Sequence, residues 1–238
     1  MISYKEILNR EFYYLDFESN KAGNLFLLGI EHKKKFTCYV INEDLSFLCD
    51  NEDYVTNFNI KFVNYKSIII DLLKSIHDNN GVIVAYSIAE LEIIQSIVSK
   101  ENLPDIDYIN LARAARSWKN KFYKEAFDTL PELRKHSNNF IAKKNSLASI
   151  MRLLPNKTQA PIDYAPGKTT SRINDIIKGF KVKKEYSKLT PVQKAKATKL
   201  LKHNYYDVTI LSVLLEEIIK KDPSRLAKAI YKLTDIKS

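Results

Sequence analysis

The chain has 238 residues, 45% of them hydrophobic, enough to bury a full core in one large domain, and we expect a single domain over 1–238. Its formal net charge of +10, from 38 Lys and Arg against 28 Asp and Glu, suits a polyanionic partner and equally a Lys-rich solvated surface. No apolar run reaches the roughly eighteen residues of a membrane span, "MISYKEILNREF" lacks the apolar stretch of a secretory signal, and Cys38 and Cys49 form neither a disulfide framework nor a zinc motif, so a cytoplasmic protein without a membrane partner is expected.

In chain order, residues 3–10 suit a short lead-in helix, and "EFYYLDFES" (11–19) reads as a strand. "NLFLLGIEH" (24–32) and "KKFTCYVIN" (34–42) are two more, joined through Lys33, which makes an antiparallel meander. Residues 43–65 read as irregular. "KSIIIDLLKSIHDN" (66–79) has helical apolar spacing and stops at Gly81. "GVIVAYS" (81–87) is an unbroken apolar run, the mark of a buried parallel strand.

"IAELEIIQSIVSKEN" (88–102) reads as a helix, followed by a short strand near 106–109 and a helix after Asn110. "NSLASIMRLLP" (145–155) and "TTSRINDIIKGF" (169–180) are helices with a loop between them. Thr190, Pro191 and Gln193 give a capping box with proline at the first helical position, which opens one long helix to about Lys221. "PSRLAKAIYKLTDI" reads as a last helix. The order gives an α/β fold with a meander on one side of the sheet and helices on its faces.

Strand residues two apart share a face, so Asp16 and Glu18 in "LDFES" lie side by side, with Leu15 and Phe17 on the other face. Carboxylates that close repel unless a cation shares them, and Mg²⁺ takes hard oxygen ligands of this kind. Glu90 follows the buried strand, in the first turn of its helix, with Glu92 as a rival about 200° away around the axis. His203 and Asp207, four residues apart on the long helix, share a face.

In this order, "LDFES", "VAYSIAELEII" and "HNYYDV" resemble the three motifs of the DEDD 3′–5′ exonuclease group of the ribonuclease H-like superfamily, and "NSLASIMRLL" is similar to a helix of its YprB-like members. Two departures stand out. The second motif, Tyr86 to Glu90, is one residue tighter than the family's His-Asn-x-x-Phe-Asp, and His203 occupies the place of the Tyr in Tyr-x-x-x-Asp.

The resemblance implies a ribonuclease H-like mixed sheet and a two-metal nuclease using two Mg²⁺ or Mn²⁺ ions about 4 Å apart. Asp16, Glu18, Glu90 and Asp207 would hold the ions, and His203 would act as a general base tuned near neutrality without ligating. The substrate implied is the end of single-stranded DNA or RNA, degraded from 3′ to 5′. A structure-guided endonuclease and a non-catalytic nucleic-acid-binding or interaction module are the alternatives. "PGKTT" (166–170) lacks the first glycine of a phosphate loop, which excludes an NTPase, although Lys168, Thr169 and Thr170 remain candidates for a phosphate contact. Lys181 to Lys202 form the densest basic stretch, part of which is expected to face a nucleic-acid backbone.

Overall fold

The computed structural model describes residues 4–116, 147–151 and 168–235. After a short helix α1 (Tyr4–Ile7), strands β1 (Phe12–Ser19), β2 (Leu25–His32) and β3 (Lys35–Val40) form the antiparallel meander. Lys33 and Lys34 both take positive φ, 50° and 62°. Two such residues make the tight turn whose twist matches paired strands.

Residues 43–65 are more ordered than their sequence suggests. A 3₁₀ helix (Glu43–Asp50), α2 (Glu52–Phe58) and β4 (Lys61–Phe62) follow one another. Each helical piece starts on an asparagine: Asn42 accepts from the Asp44 N–H and Asn51 from the Tyr54 N–H, both at 3.0 Å. The pieces are too short for a clear period, yet they bury Leu45, Phe47, Leu48, Tyr54 and Phe58.

Helix α3 (Tyr65–Asp78) leads to β5 (Val82–Ala85), buried throughout. The left-handed residue between them is Asn80, with φ of 49°, and not Gly81. Gly81 is glycine for a different reason, since a Cβ there would meet the Tyr13 ring at 2.7 Å. Helix α4 (Ala89–Ile97) ends before the expected 102, and β6 (Asp107–Asn110) follows. Leu147–Met151 (α5) is the described part of the helix expected over 145–155; the loop expected after it, and His136, lie outside the described residues.

Helix α6 (Thr169–Lys183) runs past Gly179 and closes on Lys184, with φ of 62°. Helix α7 (Pro191–Lys221) opens on the capping box, with Thr190 Oγ1 accepting from Gln193 N–H at 3.2 Å and Gln193 Oε1 accepting from Thr190 N–H at 3.0 Å. The expected last helix is instead a 3₁₀ turn (Pro223–Lys228) and a strand β7 (Ile230–Lys232), antiparallel to β6. Its helical spacing is overridden by the otherwise open edge of β6, where Lys232 also reaches Asp107 at 3.1 Å.

The sheet therefore has seven strands in the order β4-β3-β2-β1-β5-β6-β7, with β1, β5 and β6 parallel. Tyr13, Leu15 and Phe17 of β1 pack with α3 and α4 on one face. Phe12 and Tyr14 pack with α7 on the other. Period-two alternation then sends Asp16 and Glu18 toward α7. Among the described residues, no helix is long and apolar enough to cross a membrane.

Helix α7 sits close because β2 has no side chain at Gly29, the partner of Asp16 across the ladder. A Cβ there would lie 2.5 Å from Asn204 Oδ1 and 2.7 Å from Val208 Cγ2, both on fully buried residues of α7. Gly29→Ala should cost about 1–3 kcal/mol by overpacking. Urea unfolding measures it, and a wild-type midpoint would show that the helix can move aside at no cost.

Candidate metal centre

Four elements supply the site: β1, the first turn of α4, the start of α6 and the middle of α7. Glu18, at the end of β1, is 7% exposed, and His203 on α7 is 6% exposed. His203 Nε2 lies 3.8 Å from Glu18 Oε1 and 3.3 Å from Asp207 Oδ2. One donor atom from each of the three falls within 4.8 Å of the others. Asp16 is outside that tight triplet. Its backbone carbonyl and Oδ2 face Asn204 Nδ2 at 3.5 and 3.4 Å.

Glu90 is buried at 8% exposure, whereas Glu92 is exposed. Glu90 Oε2 accepts from Ser87 Oγ at 2.8 Å and Ser87 N–H at 3.2 Å, and the Tyr108 hydroxyl donates to the Ser87 carbonyl. This turn, held from β6, keeps Glu90 within electrostatic reach of Asp16.

Burial drives the protonation of the group. It pushes the Asp16 carboxyl well above the usual range, helped by the negative charges of Glu18, Asp207 and Glu90. Burial, with Asp207, raises Glu18 to about 8. The Thr169 hydroxyl and the Arg172 guanidinium oppose that rise. His203 goes the other way, to about 4, because burial and the nearby Arg172 both disfavour imidazolium. The neutrality-tuned base expected from sequence is thus a neutral imidazole with a far lower pKa.

Sequence reading missed three of these neighbours. Arg172, buried on α6, has no motif around it. Thr169 reads as a phosphate contact, but its hydroxyl bonds Glu18. Asn204 has a signal in hindsight, as it stands three residues before Asp207 on the same helix face, opposite the lone glycine of an apolar strand. Much of the basic stretch is engaged locally: Lys181 with Asp44 at 3.6 Å, Lys188 with Glu185 at 2.5 Å, Lys194 with the Ser187 carbonyl at 2.7 Å, and Lys196 with Asp175. His32 bonds Glu11 at 2.8 Å, and His77 is exposed, so neither joins the site.

No protein-family model matches the chain, and no curated protein is significantly similar to it.

Proposed function

We propose that this chain is a metal-dependent nuclease of the ribonuclease H-like superfamily, a DEDD-type 3′–5′ exonuclease acting on single-stranded DNA or RNA. The observation that carries the reading is the clustering of four acids, buried Glu18 and Glu90 with half-buried Asp16 and Asp207, close enough for Asp16 to feel the charge of the other three. Four carboxylates against Arg172 leave three formal negative charges. Without metal, the cluster relieves this charge by protonation of Asp16 and Glu18; bound cations would relieve it with the carboxylates ionised. The meander β3-β2-β1, continued by parallel β5 and β6, supports the superfamily assignment.

The residues fit Mg²⁺ or Mn²⁺. Glu18 Oε1 is buried and accepts no hydrogen bond among the described residues, which leaves a lone pair for an ion. Donors about 2.1 Å from an octahedral ion stand about 3 Å apart, close to the 3.3 and 3.8 Å separations around His203 Nε2. Glu18, His203 and Asp207 would hold one ion, with Asp16 and Glu90 available to a second. When bound, such ions activate water and neutralise charge on the phosphate.

This chain's residues then have separate tasks. The Ser87 turn fixes Glu90, and Asn204 Nδ2 faces Asp16 Oδ2 at 3.4 Å. Arg172 adds a fixed positive charge beside Glu18, suited to a phosphate oxygen. His203, neutral at physiological pH and lying beside both acids, is a ready ligand and belongs to the proposed ligand set. Imidazole also suits a transition ion more than Mg²⁺.

His203→Ala should therefore weaken Mn²⁺ binding at least about tenfold, the lower end of what even an outer-shell change costs. Electron paramagnetic resonance of free Mn²⁺ measures this. Unchanged affinity with slowed hydrolysis would return His203 to the general-base role that its motif position implies. The activity itself is tested by digesting a 5′-labelled oligonucleotide with Mn²⁺, with EDTA as control. A ladder shortening from the 3′ end is expected. Internal cuts would make the protein an endonuclease, and no Mn²⁺-dependent cleavage would leave a non-catalytic module.

A further inference from the structure

Two open grooves flank the loop between β1 and β2, immediately beyond Glu18, and Asn24 lines both. The first, of about 430 Å³, runs between this loop and α6, with Asn174, Lys178 and Lys181 along its helical wall. Asn174, Lys178 and Lys181 are spaced by four and three residues, so they share one helix face. Arg172, two residues before Asn174, points about 200° away around the helix axis, toward Glu18, so the groove's link to the metal centre is the β1–β2 loop. Lys178 is exposed and makes no ion pair among the described residues, and Lys181 meets Asp44, which also lines the groove, at 3.6 Å between two exposed side chains, a pair worth little in water.

The second groove, of about 810 Å³, has Phe62 and Tyr65 in its wall. These rings are 46% and 37% exposed, two of the seven large apolar side chains so exposed among the described residues. Asn24, Asn42, Asn64, Glu43 and Lys66 also line it, with the Asn42 and Asn64 amide oxygens already capping the helices that follow them.

Single-strand binders combine a basic groove that tracks phosphates with aromatic faces on which bases stack. We infer that the two grooves form one track for single-stranded nucleic acid, with phosphates held by Lys178 and Lys181 and bases stacked on Phe62 and Tyr65. The track rests on the nuclease reading for its purpose, since it would lead a strand to the carboxylates. Its residues are outside the metal centre. A duplex presents no free base faces and would use only the lysine half.

Fluorescence anisotropy with a labelled single-stranded 20-mer, in EDTA to prevent cleavage, tests it across salt concentrations. Wild-type protein should bind the single strand more tightly than the matching duplex. Lys178→Ala with Lys181→Ala should raise Kd and lower the magnitude of the log–log salt slope by about 1.4, at about 0.7 per phosphate contact. Phe62→Ala with Tyr65→Ala should raise Kd at least about tenfold with the slope unchanged, since stacking is worth about 1–3 kcal/mol per base. Lys220→Ala with Lys221→Ala, at the far end of α7, is the control and should bind as wild type.

Wild-type affinity in both groove variants, equal losses in the control, or no binding by the wild-type protein would overturn the track. Mn²⁺-dependent hydrolysis of the p-nitrophenyl ester of thymidine 5′-monophosphate, too small to need the track, reports separately on the metal centre. A strand that binds as described to a protein that does not hydrolyse this ester would refute the nuclease reading and leave the track standing.

Discussion

Asp16→Asn should abolish hydrolysis, by at least about 10³-fold, and leave the protein folded. Substituting outer-shell partners of a metal already costs about 10–100-fold, and a carboxylate placed to touch the ions directly is worth more. Asparagine keeps the shape and the Asn204 contact, but it removes the charge that balances the cations. Metal-free protein should be at least as stable with Asn as with Asp. Burial and three neighbouring acids already favour the uncharged form of Asp16, which Asn imitates. Thermal unfolding in EDTA and in Mn²⁺ separates the effects: the ion should raise the wild-type midpoint and move the variant much less. Undiminished hydrolysis in the variant would remove Asp16 from the mechanism.

Metal-free protein should also lose stability between about pH 6.5 and 8. Glu18 titrates near 8 in the fold and near 4.5 unfolded, so its contribution is fully present below 4.5 and lost as pH rises to 8. His203 titrates near 4 folded and 6.5 unfolded, so its contribution is present above 6.5 and lost as pH falls toward 4. The Glu18 and His203 slopes oppose each other between about 4.5 and 6.5; above that the Glu18 loss is unopposed by His203, and the raised carboxyl of Asp16 adds to it in the same direction. One group changes stability by at most about 1.4 kcal/mol per pH unit, so Glu18 by itself accounts for a loss of about 2 kcal/mol, or about 4–8 °C in the midpoint for a chain of this size. Saturating Mn²⁺ should remove this dependence, because a bound ion keeps the carboxylates ionised at every pH in the window. A midpoint that is flat with pH in EDTA would mean that Glu18 is solvated and is not part of a buried centre.

The parts of this arrangement that were legible in sequence are those written locally. Alternation in "LDFES" is enough to place Asp16 and Glu18 on one face and Leu15 and Phe17 on the other. Four-residue spacing puts His203 beside Asp207, and the Thr190, Pro191 and Gln193 signature marks the start of α7. The buried run before Glu90 shows as a parallel strand because nothing polar interrupts it.

What was hidden depends on partners far along the chain. Thr169 and Arg172 meet Glu18 across about 150 residues, and neither carries a pattern of its own. The strand over Ile230–Lys232 exists because β6 has an edge to fill, which the helical spacing of that segment cannot reveal. His203 looks like a base near neutrality from its reference pKa, and only its burial against Arg172 moves it to about 4. Gly29 is unremarkable in "LFLLGIEH" until α7 is laid on it.

Titration of Mn²⁺ into wild-type protein and into Asp207→Asn, followed by electron paramagnetic resonance at pH 7.5, decides whether the buried acids form a cation site. Wild-type protein should take up the ion saturably, and the variant should lose that uptake while keeping its fold by circular dichroism. Wild-type protein that leaves Mn²⁺ free in solution, or a folded variant that binds it as tightly, would contradict a metal centre built on Asp16, Glu18, His203 and Asp207.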